Sequence, residues 1–522
     1  MSCFGCFRRW MVLIVLASGL LIRLYDLTDL PLEFHPTRQL FSAIKARGLY
    51  YAAWPEAPAE QHRFAIQQAK LRPTIEPEIL ERLAALTWQV TGEQLWVPRL
   101  YSTLCWLIGG LFLYLLSRDL FGRAPPASAS SGSAGPEAPL FTLAFYLLLP
   151  YGVLASRSFQ PDSLMLMLTI GFWWAVHRWA QAAFADSAGV DRRASRRYAL
   201  LAALLGGLAI FVKLPAAFFV IGGGLGAALG WTSLRSLIRH PQLWMMAILG
   251  ALPGAAWVIY GLSRGFLGQQ FGGRFLPALF LSPSMYLGWA QMLHNVLGLV
   301  AVPLALAGLL TIQRLSARAL LLGLWGSYLA FAVFFNYHVS THDYYNLPLI
   351  PIAALSLTPL GEAILDRLAD CASRSRLNRL LVASLLTLSL LAGLWTIRST
   401  LKSTDYRPQA DFWRQVGDLV RGRRVVALTQ DYGLPLIYWG WAYATNWPDS
   451  TDQAHSAVRG QGKTFDELFE RLASNKELFL VTDLADLARQ PKLQERLAGY
   501  AVFAQGPGFV IYDLTRPLPA SP

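Results

Sequence analysis

The chain has 522 residues, 54% of them hydrophobic, and a mean hydropathy of +0.37; soluble globular proteins sit at about 45–50% apolar even with glycine counted. Apolar runs of spanning length recur to about residue 397, and a helix needs roughly 20 mostly apolar residues to cross a bilayer, which excludes a soluble fold. The formal net charge of +13 does not point to nucleic acid, because the basic residues sit in short turns between apolar runs and not on one face.

Taken in chain order, the first apolar run covers residues 10–23 behind Arg8 and Arg9. No small-residue cleavage site follows it, and Arg23-Leu24-Tyr25-Asp26 continues directly, so it is expected to stay as an uncleaved helix. Cys3 and Cys6 form a C-x-x-C with no second ligand pair nearby, so no metal is expected there. Residues 24–96 then form a long outer loop, with helices predicted near 37–52 and 76–91 lying along the interface. Further spans are predicted at 97–116, 139–156, 161–182, 198–212, 214–231, 243–261, 286–311, 319–336, 344–360 and 380–397, about eleven in all. The fifth and sixth make a tight hairpin at Lys213-Leu214-Pro215, and residues 124–138 (APPASASSGSAGPEA) read as a low-complexity linker.

The remainder, residues 398–522, reads as a soluble tail. Buried strands are predicted at 424–429, 478–482 and 509–512, with helices at 464–473 and 492–497 between them. Strands alternating with helices indicate a small α/β domain. The expected fold class is thus a polytopic all-α membrane bundle over residues 1–397 with a small soluble α/β domain over 398–522.

Alternate turns differ in charge. One set holds Arg8, Arg9, Arg118, Arg123, Arg192, Arg193, Arg196, Arg197, Arg235, Arg239, Arg314, Arg318 and the arginines between 367 and 379. The opposite set holds only Arg157, Lys213, Arg264 and Arg274 in its short turns. Positive residues favour the cytoplasmic side, so the N-terminus is expected inside, the tail outside, and the protein in a bacterial cytoplasmic membrane.

Ionisable groups at membrane depth are costly and point to function. On this topology they converge on the outer face. Glu33, His35 and Arg38 open the first outer loop, and Glu76 and Glu78 flank Pro77 further along it. The second outer turn carries Arg157 and Asp162, and the hairpin carries Lys213. A last cluster holds His338, His342, Asp343, Tyr344 and Tyr345. Carboxylates of this kind suit a general base, and Arg or Lys suits a phosphate. The bland readings are a cap for Asp162, a helix-dipole role for the Glu76 pair, snorkelling for Arg157 and Lys213, and an aromatic belt for the tyrosines. Two His and an Asp also raise a metal, but their spacing matches no strong zinc pattern.

In this order and on this side of the membrane, these residues resemble the polytopic GT-C glycosyltransferases, in particular the family 39-like branch similar to bacterial protein mannosyltransferases and lipid A aminoarabinose transferases. The resemblance covers roughly residues 10–360. It rests on Arg23 and Pro31, Glu76-Pro77, Pro98-Arg99-Leu100, Ser156-Arg157 through Pro161-Asp162, Lys213-Leu214-Pro215, and His342-x-Tyr344 ahead of Leu347-Pro348-Leu349. It implies an inverting transfer from a polyprenyl-phosphate sugar. The expected acceptor is a hydroxyl of a glycan, lipid or protein, with membrane lipid as a further partner and no cofactor expected. The resemblance also implies an Asp-Glu pair in the first outer loop; Thr37-Arg38 stands there, with Glu33 four residues earlier.

The expected roles follow. Glu33, or else Glu76 or Asp162, accepts the proton. Lys213 and Arg157 hold the carrier phosphate, and His35, Arg38, His342, Tyr344 and Tyr345 help to bind substrate. The rival readings are a transporter or flippase, a non-catalytic lipid-binding protein of the same fold, and a lipid-linked polymer ligase.

Overall fold

The structure is a computed structural model that describes residues 3–122, 138–185, 191–267, 274–458 and 460–519, with the side chains of the first helix described from Trp10 onward. The C-x-x-C side chains and the linker up to residue 137 lie outside the described residues. The chain divides into two compact units. One holds Met1–Thr28, Pro73–Leu80 and Trp96–Ser403; the other holds Asp29–Arg72, Glu81–Leu95 and Thr404–Pro522.

The first unit is helical. Six of its helices are long and apolar enough to cross a membrane: Trp96–Phe121, Arg192–Val212, Pro241–Ser263, Leu315–Phe334, Leu349–Arg374 and Arg376–Leu401. Two bent pairs, Ala138–Leu148 with Pro150–Ser156 at 61° and Pro283–Leu297 with Ala301–Thr311 at 78°, raise the count to eight if each is one span. The chain is therefore a multi-pass membrane protein, and among the described residues six to eight spans meet this length and apolarity, which does not confirm the expected eleven. All eleven predicted segments are helical, yet Trp10–Leu24 and Ala216–Leu229 are short. Asp162–Phe184 carries three Trp, a His and an Arg that lower its hydropathy, and it affords them because most of it is buried.

Two devices set the shape of this bundle. The first bent pair breaks at Pro150, which has no N–H to continue the ladder. Arg23 covers the freed end: its Nη1 donates to the Leu147 and Gly19 carbonyls at 2.8 Å, and its Nε to Ser156 Oγ at 2.7 Å. A cation on a helix C-terminus is favourable, so this buried arginine has a structural task. The second device is close packing of small residues. Ala216–Leu229 lies against Leu315–Phe334 so tightly that a Cβ added at Gly226 would come within 2.6 Å of the Ala319 carbonyl oxygen. That contact fixes the helix beginning just after Lys213.

The second unit joins first-loop helices to the tail. Pro36–Ala52 matches the predicted 37–52, Ile79–Thr91 falls within 76–91, and Ala59–Leu71 is an additional helix. The sheet has strands β1 (Val425–Leu428), β2 (Thr445–Asn446), β3 (Leu478–Val481), β4 (Tyr500–Gly506) and β5 (Phe509–Pro517), in the order β2-β1-β3-β5-β4. β1 is parallel to β2 and β3, while β5 is antiparallel to β3 and β4. β1 and β3 are buried along their whole length, as their unbroken apolar runs require. Thr464 and Glu467 close a capping box on the helix Phe465–Ala473. Trp447 is 1% exposed, packs on Phe469 and Phe479, and donates its indole N–H to Gln490 at 2.9 Å. Arg47 ties loop to tail: its Nε meets Glu93 at 2.7 Å and its guanidinium lies 3.6 Å from the Tyr438 ring centre.

Candidate functional site

In the membrane unit the candidate residues gather where helices break. Lys213 ends Arg192–Val212 in an extended conformation, φ −154°, ψ 110°, and Pro215 starts the next helix two residues later. That break turns the lysine inward: it is 9% exposed, and its Nζ donates to Asp162 Oδ1 at 2.7 Å. Asp162, 4% exposed, opens the helix Asp162–Phe184. The sequence reading gave Lys213 no protein counter-ion; the 51 residues between the two groups hid the pair. Asp162 Oδ2 and both amide atoms of the neighbouring Gln160 are buried without a protein partner.

Aromatic rings complete the surround. The Lys213 Nζ lies 5.5 Å from the Tyr344 ring centre and 5.8 Å from that of Tyr345, within cation–π range. Tyr345 in turn lies 4.8 Å from the His338 ring, and His342 lies 5.8 Å from both His338 and Tyr344. Arg274, absent from the candidates read in the sequence, belongs here: its Nη1 is 2.8 Å from His338 Nε2 and 3.3 Å from the Tyr345 hydroxyl. Asn336 holds this arginine's segment, accepting from the Leu276 N–H at 3.2 Å and donating to its carbonyl at 2.8 Å. The sequence signal was slight: Arg274 is one of two Arg, with Arg264, in a turn without acidic residues.

Arg157 sits in the same turn as Asp162 and is buried, and its Nη2 donates to the Asp26 carbonyl at 3.0 Å. Arg99 braces that turn by donating to the Arg157 carbonyl at 3.2 Å and the Leu27 carbonyl at 2.8 Å. Glu76 lies half-buried in the Pro73–Leu80 segment of this unit. Among the described residues no three His, Cys, Asp or Glu side chains are grouped to hold a metal ion.

An apolar groove of about 520 Å³ runs along the helix that Lys213 precedes. Phe218, Gly222 and Leu225 line it on one side, Ala319, Leu322 and Gly326 on the other.

Glu33, His35 and Arg38 fall in the other unit, all half-buried. His35 stands at the N-cap of Pro36–Ala52 with φ 44° and ψ 65° and makes no side-chain cap bond. Thr37, in the first turn of that helix, donates from Oγ1 to Asp431 Oδ1 of the tail at 2.8 Å. Asp431 was not singled out in the sequence, because 394 residues separate it from the loop.

Residues 76–260 match the family described as dolichyl-phosphate-mannose-protein mannosyltransferase. ArnT from Cupriavidus metallidurans in the apo state shares the fold with a TM-score of 0.57 at 16% identity, over 97% of this chain and 98% of that one. The same protein bound to undecaprenyl phosphate superposes with a TM-score of 0.52 at 16% identity, over 98% of each chain. The oligosaccharyltransferase AglB from Archaeoglobus fulgidus, in complex with an inhibitory peptide and a dolichol-phosphate, gives 0.53 at 11% identity, over 98% of this chain and 74% of that one. No curated protein sequence matches the chain. The expected resemblance holds: the chain has the GT-C glycosyltransferase fold, and its residues 76–260 are similar in sequence to the protein mannosyltransferases.

Proposed function

We propose that this chain is a glycosyltransferase that moves a sugar from a polyprenyl-phosphate carrier to an acceptor hydroxyl at the outer face of the cytoplasmic membrane, with inversion at the anomeric carbon. The observation that carries the reading is the group of Lys213, Arg274 and His338 with Tyr344 and Tyr345 in the membrane unit. Two fixed cations and a histidine beside phenol hydroxyls suit the developing charge of a leaving phosphate. Asp162 takes one of the three Lys213 N–H groups and leaves two for the ligand. The apolar groove beside the following helix suits the carrier's hydrocarbon chain. The lipid phosphates bound in the ArnT and AglB structures support the same choice of ligand.

In the reaction the acceptor oxygen attacks the anomeric carbon, the lipid phosphate leaves with the bonding electrons, and a carboxylate takes the acceptor's proton. Glu33, Glu76 and Asp162 are the carboxylates that the sequence offers for the last role. Arg157, His35, Arg38 and His342 are substrate-binding groups. The N-terminus lies in the cytoplasm and the tail outside, and no cofactor is required. The test is transfer by the purified protein from a panel of undecaprenyl-phosphate sugars. Release of undecaprenyl phosphate only when an acceptor is present supports the reading; no turnover with any donor defeats it.

A further inference from the structure

The turn before Asp162 carries polar atoms that the fold does not use. Its backbone is settled without them: the N–H groups of Arg157, Ser158 and Gln160 donate to the carbonyls of Leu154 at 3.2 Å, Ala155 at 3.2 Å and Ser158 at 2.9 Å. Pro161 then leads into the helix Asp162–Phe184. Yet the Gln160 side chain is 1% exposed, and both of its amide atoms are buried without a partner among the described residues. Asp162 Oδ2 is in the same state, although Oδ1 of that carboxylate holds Lys213 at 2.7 Å. Nearly all buried polar groups in folded proteins are paired, and each exception asks for an explanation. Here three such atoms fall within three residues, beside the lysine of the candidate phosphate group.

We propose that Gln160 and Asp162 Oδ2 form the subsite that reads the hydroxyls of the donor's sugar. Chemistry selects this ligand. A carboxylate only accepts hydrogen bonds, while the glutamine amide donates from Nε2 and accepts at Oε1. A phosphate brings only acceptors and is repelled by Asp162; an ammonium brings only donors and leaves Gln160 Nε2 unpaired. Neighbouring hydroxyls both donate and accept, so they satisfy all three atoms. Position agrees with chemistry. A carrier phosphate taken by the free N–H groups of Lys213 brings its sugar beside Asp162. The hydroxyl next to the anomeric carbon is the one nearest that phosphate, and it falls to Oδ2; Gln160 takes the hydroxyls beyond it. The subsite rests on the glycosyltransferase reading of the same site, and in it Asp162 recognises the sugar and takes no proton.

The plain structural alternative is that these atoms meet only buried water. Gln160→Met separates the two, because it keeps the length of the side chain and removes both polar atoms. The full chain in detergent is titrated with undecaprenyl phosphate, with a panel of undecaprenyl-phosphate hexoses, and with their 2-deoxy counterparts. In the parent at least one hexose donor is expected to bind about 10–100-fold more tightly than undecaprenyl phosphate, and its 2-deoxy counterpart to lose about 10-fold of that. In Gln160→Met the preference for the hexose donor should fall about 10-fold, with the affinity for undecaprenyl phosphate unchanged. The variant's melting temperature should not fall, since an unpaired buried amide costs the fold more than an apolar side chain of the same shape. A parent that binds no hexose donor more tightly than undecaprenyl phosphate, or that ignores the 2-hydroxyl, overturns the subsite, and neither result needs a variant to fold. A Gln160→Met protein that keeps the parent's preference, or that loses affinity for undecaprenyl phosphate by the same factor, overturns it too. Transfer assays on the same samples keep two failures apart. A parent that transfers sugar while Gln160→Met keeps its preference loses the subsite alone; a parent that prefers a hexose donor yet transfers from none loses the glycosyltransferase reading while its recognition of the lipid-linked sugar stands.

Discussion

Removing the Lys213 amine by Lys213→Ala strands the Asp162 carboxylate. That carboxylate is 5% exposed at its side chain, and the Lys213 amine sits 2.7 Å away. Breaking a buried pair by deleting one member costs about 3–5 kcal/mol, because the other charge stays buried without compensation. Against a typical folding stability of about 5–15 kcal/mol, that is a large loss, so the single variant alone says little about ligand binding. The double variant Lys213→Ala/Asp162→Asn removes both charges and is expected to recover most of the stability. Its affinity for undecaprenyl phosphate should still be lower, since the lysine's contact to phosphate is gone. Hydrogen bonds to charged groups contribute about 1.5–3 kcal/mol, which converts to roughly a 10–150-fold weaker Kd. The assay is thermal unfolding in detergent together with titration of undecaprenyl phosphate. If the single variant melts like the parent, the pair is not a buried ion pair. If the double variant is stable and binds as tightly as the parent, Lys213 is no phosphate ligand.

Arg274→Ala is expected to weaken binding of the same lipid phosphate about 10-fold or more; equal affinity in the titration removes the arginine from the site. Asp431 has a pH signature in folding. Burial holds its folded pKa above the ordinary carboxylate value, so its contribution to stability is fully present below about pH 4 and is lost as pH rises through the raised value. Asp431→Asn should therefore flatten that decline in denaturant midpoints measured across pH 4–7, and an unchanged slope contradicts the burial argument. A reporter that functions only outside the cytoplasm, fused after residue 405, is expected to be active; inactivity there, with activity of a cytoplasmic reporter, reverses the proposed topology.

Much of the helical plan was legible because a membrane leaves a long apolar run as its signature. Residues 97–116 and 380–397 show this, each lying inside a longer apolar helix. The number of spans was not legible, since burial within the bundle lets Asp162–Phe184 carry Trp179 and His177 where a lipid-facing span does not. In the tail, β1 and β3 announced themselves as unbroken apolar runs, while β4, only partly buried, gave no comparable pattern. Ala59–Leu71 was missed because AEQHRFAIQQAKL has too few apolar residues for a clear stripe, and only Ala65 and Gln68 of it are buried.

The site was legible residue by residue but not pair by pair. Lys213 and the Tyr344-Tyr345 dipeptide stood out as polar groups at helix ends, and the structure brings them together. The carboxylates were harder, because charge pairing is a long-range property. Nothing local marks Asp162 as the partner of Lys213, or Asp431 as the partner of Thr37. Arg157 has a contact that its place in an outer turn did not signal: its guanidinium reaches the Asp26 carbonyl.

The most direct test of the account is single-turnover transfer from radiolabelled undecaprenyl-phosphate sugars by the purified parent protein, run beside the Lys213→Ala/Asp162→Asn variant. The account predicts acceptor-dependent release of undecaprenyl phosphate by the parent, from at least one donor, and a much weaker donor affinity in the variant. A parent that binds the lipid phosphate but transfers no sugar from any donor to any hydroxyl acceptor would contradict it.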